Sequence, residues 1–329
     1  MDAVKLLDEK YHILREIKRG GFGVVYYGWD RMFDKPVAIK AISPDLLGKA
    51  KYIDIFQAES LSVARLNHHN VVRLYDVKRT DDGQFYIIME YIDGIDLGRL
   101  LQACRKEGIG LPFDIGAYII AQCCSGLDYA HARRDPDTHQ PLNIVHQDIS
   151  PANIMVNRQG EIKIIDFGLA SARRRSVAKQ GRKGEREILL QGKIAYLAPE
   201  QVNGHHNIDR RADIFSLGLV MYETLTGERF IKSDNPAEVV TLLTTGNWSL
   251  TGLIDKQVPG PLQLIVQRAI QKDPESRYQT ANQMYLDLMT YLATQEAIAD
   301  ISNALGLLVQ RFAPVQKRLE EETPIQPSP

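Results

Sequence analysis

Cysteine is nearly missing from this chain. Only Cys104, Cys123 and Cys124 occur, an odd count with two adjacent, and no CxxC pair or Cys/His cluster with zinc spacing can be drawn. That excludes a disulfide framework and a structural zinc site, and the three read as reduced thiols in helical core, the state of a cytoplasmic protein. An excess of charge of one sign is also missing: 40 Lys and Arg face 41 Asp and Glu, a net −1. Neither nucleic acid nor an anionic membrane is expected as the main partner. No apolar run approaches the ~20 residues that span a bilayer. "ISNALGLLVQRF" is too short for that and is bounded by charge. The opening "MDAVKLLDEKYHILREI" interleaves acids and bases where a signal peptide would carry an apolar stretch. What remains is an ordinary globular composition, 44% hydrophobic and 25% charged over 329 residues. It suffices for one large or two modest domains.

The texture changes once along the chain. Residues 11–92 carry β-branched and aromatic runs broken by turn residues, "VVYYGWD", "PVAIKAI" and "QFYIIMEYI", and read as strands. One helix interrupts them in "KAKYIDIFQAESLSVARLN", with Ile53, Phe56, Leu61 and Ala64 at helical spacing. After Glu90–Gly94 the chain becomes mostly helical. "FDIGAYIIAQCCSGLDYAHARR" is apolar all round, as a buried helix is. "VVTLL", "LQLIVQRAIQ" and "QTANQMYLDLMTYLATQ" are also helical, and "QEAIADISNALGLLVQRF" is amphipathic, with Ile298, Ile301, Leu305, Leu308 and Phe312 on one face. This last helix is expected to dock on the body that precedes it. "RRDPDTHQPLN", 133–143, reads as a surface insertion. Between Arg173 and Glu187 seven Lys and Arg face two Glu, which reads as a solvated, mobile run.

Four short motifs then follow in order. "KRGGFGVVY", 18–26, is a Gly-rich turn between strand signals, whose backbone N–H groups can cradle phosphates. "VAIK", 37–40, puts Lys40 on the next strand, and Glu59 on the helix beyond it can pair with that ammonium. "HQDISPAN", 146–153, places Asp148 and Asn153 on one loop. "IIDFGLA", 164–170, delivers Asp166 from the end of an apolar strand, which suits Mg²⁺ and its preference for a few hard oxygens beside phosphate. Any one of these has a plain alternative as a hairpin, a surface lysine or a helix cap; the ordered set does not.

The set resembles a protein kinase, over about residues 11–293. "LAPE" (197–200), "DIFSLG" (213–218) and "KDPESRY" (272–278) extend the likeness. It is closest to the bacterial Ser/Thr kinases of eukaryotic type, the Hanks type, and among them to the group with a "D[VI]SPxN" loop. The resemblance implies an α+β, two-lobed kinase fold: a β-rich N-lobe with one helix over 11–90, a hinge over 90–94 and a mostly helical C-lobe over 95–293. A lead-in, 1–10, precedes it; an amphipathic helical extension, 294–318, and a disordered Pro-rich tail, 319–329, follow. It also implies a Ser/Thr protein kinase using ATP with Mg²⁺, or Mn²⁺ in its place, on protein substrates. Asp148 would be the catalytic base and Asn153 and Asp166 the metal ligands. Lys40, fixed by Glu59, would position the α/β-phosphates, and Lys18, Gly20, Gly21, Gly23 and Val25 would form the phosphate-covering loop. Ala38 and Met155 would sandwich adenine, Met89 would be the gatekeeper, and the backbone of Glu90 and Ile92 would contact the base. Glu200 would pair with Arg277, and Asp213 would brace the catalytic loop.

Three departures qualify this. Gln147 stands where many kinases carry an Arg that reads an activation-loop phosphate. Residues 169–195 hold no Thr or Tyr and only Ser171 and Ser176, so activity is expected to depend less on loop phosphorylation than is usual. Ser150 stands where a Lys usually meets the γ-phosphate, and losing a cation there costs roughly a few kcal/mol unless another replaces it. Lys193 is the expected replacement. Lys18 replaces the first glycine of the phosphate loop. The intact Lys40, Glu59, Asp148, Asn153 and Asp166 favour an active kinase over a nucleotide-binding scaffold. "LAPE" and "DIFSLG", which shape a peptide platform in the family, argue against a small-molecule kinase. The basic run, Arg173–Arg175 with Lys179–Arg186, could recruit an acidic partner.

Overall fold

The computed structural model describes residues 5–7, 9–20, 23–42, 64, 66–81, 83–167, 194–203, 208–295 and 300–313. The first part is a six-stranded antiparallel sheet of order β1-β2-β3-β4-β6-β5, built from β1 (Lys5–Leu7), β2 (Tyr11–Gly20), β3 (Gly23–Asp30), β4 (Lys35–Ile42), β5 (Leu74–Arg79) and β6 (Phe85–Glu90). Side chains alternate across such a sheet. Val37 and Ile39 are fully buried on one face, packing with Leu7, Tyr11, Ile13, Tyr86 and Ile88. Ala38 and Lys40 turn to the other face, where β4 pairs Ala38 with Met89 and Lys40 with Ile87. The edge strand β1 falls inside what the sequence suggested was lead-in, because three residues are too few to show a period. The helix expected over 49–67 lies almost wholly outside the described residues; Ala64 is helical.

The second part opens with β7 (Gly94–Asp96) and α1 (Leu97–Lys106), whose first turn Asp96 caps by accepting the Arg99 N–H at 2.9 Å. Helix α2 (Phe113–His131) follows. Then come β8 (Ile154–Asn157) and β9 (Ile162–Ile164), which complete a three-stranded antiparallel sheet with β7. Among the described residues the further α-helices are α3 (Pro199–Val202), α4 (Arg211–Thr226), α5 (Pro236–Thr245), α6 (Thr251–Asp255), α7 (Gly260–Ala269), α8 (Ala281–Leu292) and α9 (Ile301–Phe312). α8 starts at the Thr280 cap, which accepts the Gln283 N–H. α2 packs on α8, α4 and β9, and every residue of α4 from Ala212 to Thr226 is buried.

The 133–143 insertion is an ordered, exposed loop. Asp135 accepts the N–H groups of Asp137 and Thr138, and Arg134 bridges to Pro141. α9 buries Ile301, Leu305 and Val309; Leu308 and Phe312 are half-buried, and Ile298 lies outside the described residues.

Candidate active site

The loop from His146 to Asn153 is held from below by one carboxylate. Asp213, in the first turn of α4, is completely buried and accepts the backbone N–H of His146 at 2.8 Å and of Gln147 at 2.6 Å. It also accepts Nε2–H of His131, from the end of α2, at 2.8 Å. Burial alone would raise this carboxyl, but His131, His146 and the Gln147 N–H together hold it below the ordinary aspartate value. Gln147 sits at φ +62°, a left-handed conformation that non-glycine residues adopt only when their surroundings enforce it. The two N–H bonds to Asp213 and the acceptance by its carbonyl of the Gln201 amide, at 3.1 Å, supply that enforcement. Gln201 in turn accepts the Ala198 N–H at 2.8 Å. It thus ties the start of α3 to the His146–Asn153 loop.

Within the loop, the Asp148 N–H donates to His146 Nδ1 at 3.1 Å, while His146 Nε2 donates to the Ile165 carbonyl at 2.9 Å. The opposite roles of the two ring nitrogens follow from these partners. The His146 ring also meets Phe167 edge-on, at 4.6 Å. Asn153 Nδ2 donates to both the Asp148 carbonyl, at 2.7 Å, and Oδ2, at 3.1 Å. Its amide nitrogen is therefore spent on Asp148, and its amide oxygen is the atom left to meet a cation. Ser150 is buried, and its Oγ has no hydrogen-bond partner among the described residues.

Asp166 follows β9 at φ +64°. Its Oδ1 lies 2.5 Å from Nζ of Lys40, which β4 brings across from the six-stranded sheet. Lys40 is only 6% exposed, so the pair sits where charge interactions are weakly screened. Glu59, the expected partner of Lys40, lies outside the described residues. So do Gly21, Lys193, Ser171, Ser176, the basic run and the tail 319–329.

The residues assigned to the nucleotide lie on neighbouring strands. Val25 pairs with Lys40 across β3 and β4, the exposed Lys18 pairs with Val25 from β2, and Gly20 opposes Gly23 at the hairpin end. Gly23 has φ +148°, a region open to glycine alone. Met155 lies on β8, half-buried, opposite Asp96. Glu90 ends β6 with its N–H donated to the Arg73 carbonyl at 2.8 Å, so its own carbonyl is the group it can present to a base. The Glu90 carboxylate is held by Lys163 at 3.0 Å, and Ile92 follows on the connecting segment.

Further out, Arg277 is 1% exposed and makes a two-pronged pair with Glu200, at 2.8 and 2.9 Å. It also donates to the carbonyls of Gln271, Lys272 and Arg211 and lies over the Phe215 ring. This is the pairing the resemblance implied. His131 and Gln201 were not found from sequence. The bonds that tie them to Asp213 and to this loop span 82 and 54 positions, which no local pattern shows. Among the described residues no group of three or more His, Cys, Asp and Glu could hold a metal ion. A cation here would rest on Asn153 and Asp166 plus phosphate and water, a donor set of the kind Mg²⁺ accepts.

Comparison with known proteins agrees with this geometry. Residues 11–287 match the family model for the protein kinase domain. Tyrosine-protein kinase MasK of Myxococcus xanthus is 33% identical over 287 residues, 86% of this chain and 43% of that protein. Serine/threonine-protein kinase PknB of Mycobacterium tuberculosis is 32% identical over 286 residues, again 86% and 43%. The chain thus spans under half the length of these relatives. A crystal structure of the M. tuberculosis PknI kinase domain superposes with a TM-score of 0.65 at 25% identity, covering 87% of this chain and 96% of that one. The β-rich first lobe, the helical second lobe and the matched span together place this chain in the protein kinase domain family.

Proposed function

We propose that this chain transfers the γ-phosphate of ATP to serine or threonine hydroxyls of protein substrates. One observation carries the reading. Lys40 and Asp166 meet at 2.5 Å while Asn153 holds Asp148 on the adjoining loop. An ammonium, a metal-binding carboxylate, an amide oxygen and a base candidate thus converge on one cleft. The family uses ATP and a divalent metal; we take Mg²⁺ as the metal, with Mn²⁺ in its place, held by Asn153 and Asp166. When bound it would neutralise phosphate oxygens and so favour transfer.

The protein's own groups do the rest. Lys40 orients the α/β-phosphates. Asp148, fixed by Asn153 and the His146 ring, aligns the substrate hydroxyl and accepts its proton as the new P–O bond forms and the bond from the γ-phosphorus to the bridging oxygen of ATP breaks, releasing ADP. Gly20, Gly21 and Gly23 let the backbone close over the phosphates, with Lys18 and Val25 flanking them. Ala38 and Met155 enclose the base, Met89 gates the space behind it, and Glu90 and Ile92 offer backbone groups. Glu59 would steady Lys40. Lys193 would supply the cation that Ser150 lacks, a role that unchanged turnover in Lys193→Ala would sink. The free, buried cysteines support a reducing, cytoplasmic setting, and the basic run supports an acidic protein partner.

The deciding test is transfer of labelled γ-phosphate to the protein itself and to a generic basic protein, beside Asp148→Asn. Label that vanishes in the variant supports the reading. Nucleotide binding without any transfer would leave a scaffold instead.

A further inference from the structure

Helix α9 lies beyond the span that matches the protein kinase family, residues 11–287, yet it is built into the body of the molecule. Ile301, Leu305 and Val309 are at most 3% exposed, packed over α2, α1, β7 and β8. Its contact with the β8–β9 turn is unusually close. A Cβ on Gly306 would lie 2.8 Å from the Arg158 carbonyl oxygen, and one on Gly160, at φ +78°, would lie 1.9 Å from the Ser302 carbonyl oxygen. Glycine on both sides lets helix and turn backbones touch. Two side chains then fasten them: Ser302 Oγ donates to the Gln159 carbonyl at 3.1 Å, and Gln310 Nε2 donates to the Arg158 carbonyl at 3.0 Å.

The same turn holds the hinge. The Arg158 N–H donates to the Asp93 carbonyl at 3.1 Å, and Arg158 Nε reaches both Asp93 carboxylate oxygens at 3.1 and 3.2 Å. At the far end of the hairpin Lys163 holds Glu90, the first hinge residue, at 3.0 Å. β8 between them carries Met155. The backbone of Arg158 thus offers its carbonyl to α9 and its N–H to the hinge.

We propose that α9 is a positioning element for the nucleotide site: through Ser302 and Gln310 it fixes the Arg158–Gly160 turn, and the turn fixes the hinge at Asp93 and the base-facing Met155. This rests on the reading of that cleft as an ATP site. Loosening α9 weakens nucleotide binding and leaves the chemical step, built on Asp213 and Asp148, as it was.

The test is the double variant Ser302→Ala/Gln310→Ala, with Leu307→Ala as control. Ser302 and Gln310 contribute hydrogen bonds but little buried apolar surface, and Leu307 is 67% exposed on the outward face. Nucleotide affinity is measured by titration with a fluorescent ATP analogue and Mg²⁺, turnover at saturating ATP, thermal stability by melting, and hinge order by amide hydrogen exchange over residues 90–96. The proposal expects a Kd or ATP KM raised about three- to tenfold. It also expects kcat within about twofold, faster exchange at the hinge amides, and a control like the parent. A lower melting temperature with unchanged KM and unchanged hinge exchange would overturn it, leaving α9 a merely structural brace. If the parent protein binds no nucleotide, the ATP reading fails. Hinge exchange alone then decides: faster exchange in the double variant upholds the coupling, and unchanged exchange overturns it.

Discussion

Lys40, paired with Asp166, and Asp148, held by Asn153, are kept in place by different means. Lys40 sits on a strand whose position comes from main-chain ladders, backed by a small core of Leu7, Tyr11, Ile13, Val37, Ile39, Tyr86 and Ile88. Asp148 sits on an irregular loop whose position comes from buried polar atoms: Asp213, His131, His146 and Gln201, set inside the large core of the helical lobe. A ladder shares its load over many equivalent bonds. A buried polar frame concentrates its load in a few groups, and removing one leaves its partner desolvated and unpaired. Damage to the first should therefore be graded, and damage to the second abrupt.

The sharpest way to expose this contrast is chemical. Asp148→Asn should lower phosphoryl transfer about 10²–10⁴-fold in a single-turnover assay, with little change in melting temperature because the frame around it survives. Next is Arg277→Leu, which leaves Glu200 facing an apolar side chain. A stability loss of about 3–5 kcal/mol is expected in urea unfolding, and a loss below about 1 kcal/mol would show that buried polar groups of the helical lobe tolerate an unpaired member. Ile39→Val, on the ladder side, should cost only about 0.5–1.5 kcal/mol; a larger loss would erase the contrast.

Acid should separate the regions too. The folded-state pKa of Asp213 lies below its ordinary value. The stability it contributes is therefore fully present above about pH 4, the unfolded value, and is lost as pH falls through the lower folded value. Asp213→Asn should flatten the fall in stability below about pH 4, measured by urea titration across that range. The smallest effect belongs to the exposed Arg19–Glu16 pair on β2. Arg19→Ala should leave both activity and melting temperature where they were.

The sequence carried the order of the site better than its support. Lys40, Asp148, Asn153 and Asp166 stand in short local motifs, and the resemblance those motifs carry implied that they share one site. The two-lobed layout followed from the change in texture near Glu90. His131 could not be found this way: it ends an apolar helix as an ordinary polar residue, and its role exists only because α4 brings Asp213 beneath it. Gln201 was hidden for the same reason. Strand β1 was too short to show a period, and the left-handed turn at Gln147 is imposed by long-range hydrogen bonds rather than by its own preference.

The cysteines of α2 have one more consequence. Cys123 and Cys124 are completely enclosed, and burial pushes both thiols up, away from the reactive thiolate. Cys104 on α1 is also free and buried. An alkylating reagent added to the native protein does not reach the enclosed thiols of α2 until the helices part. The rate at which α2 is labelled therefore counts opening events, and with it the chain carries its own stopwatch for how often its helical lobe comes apart.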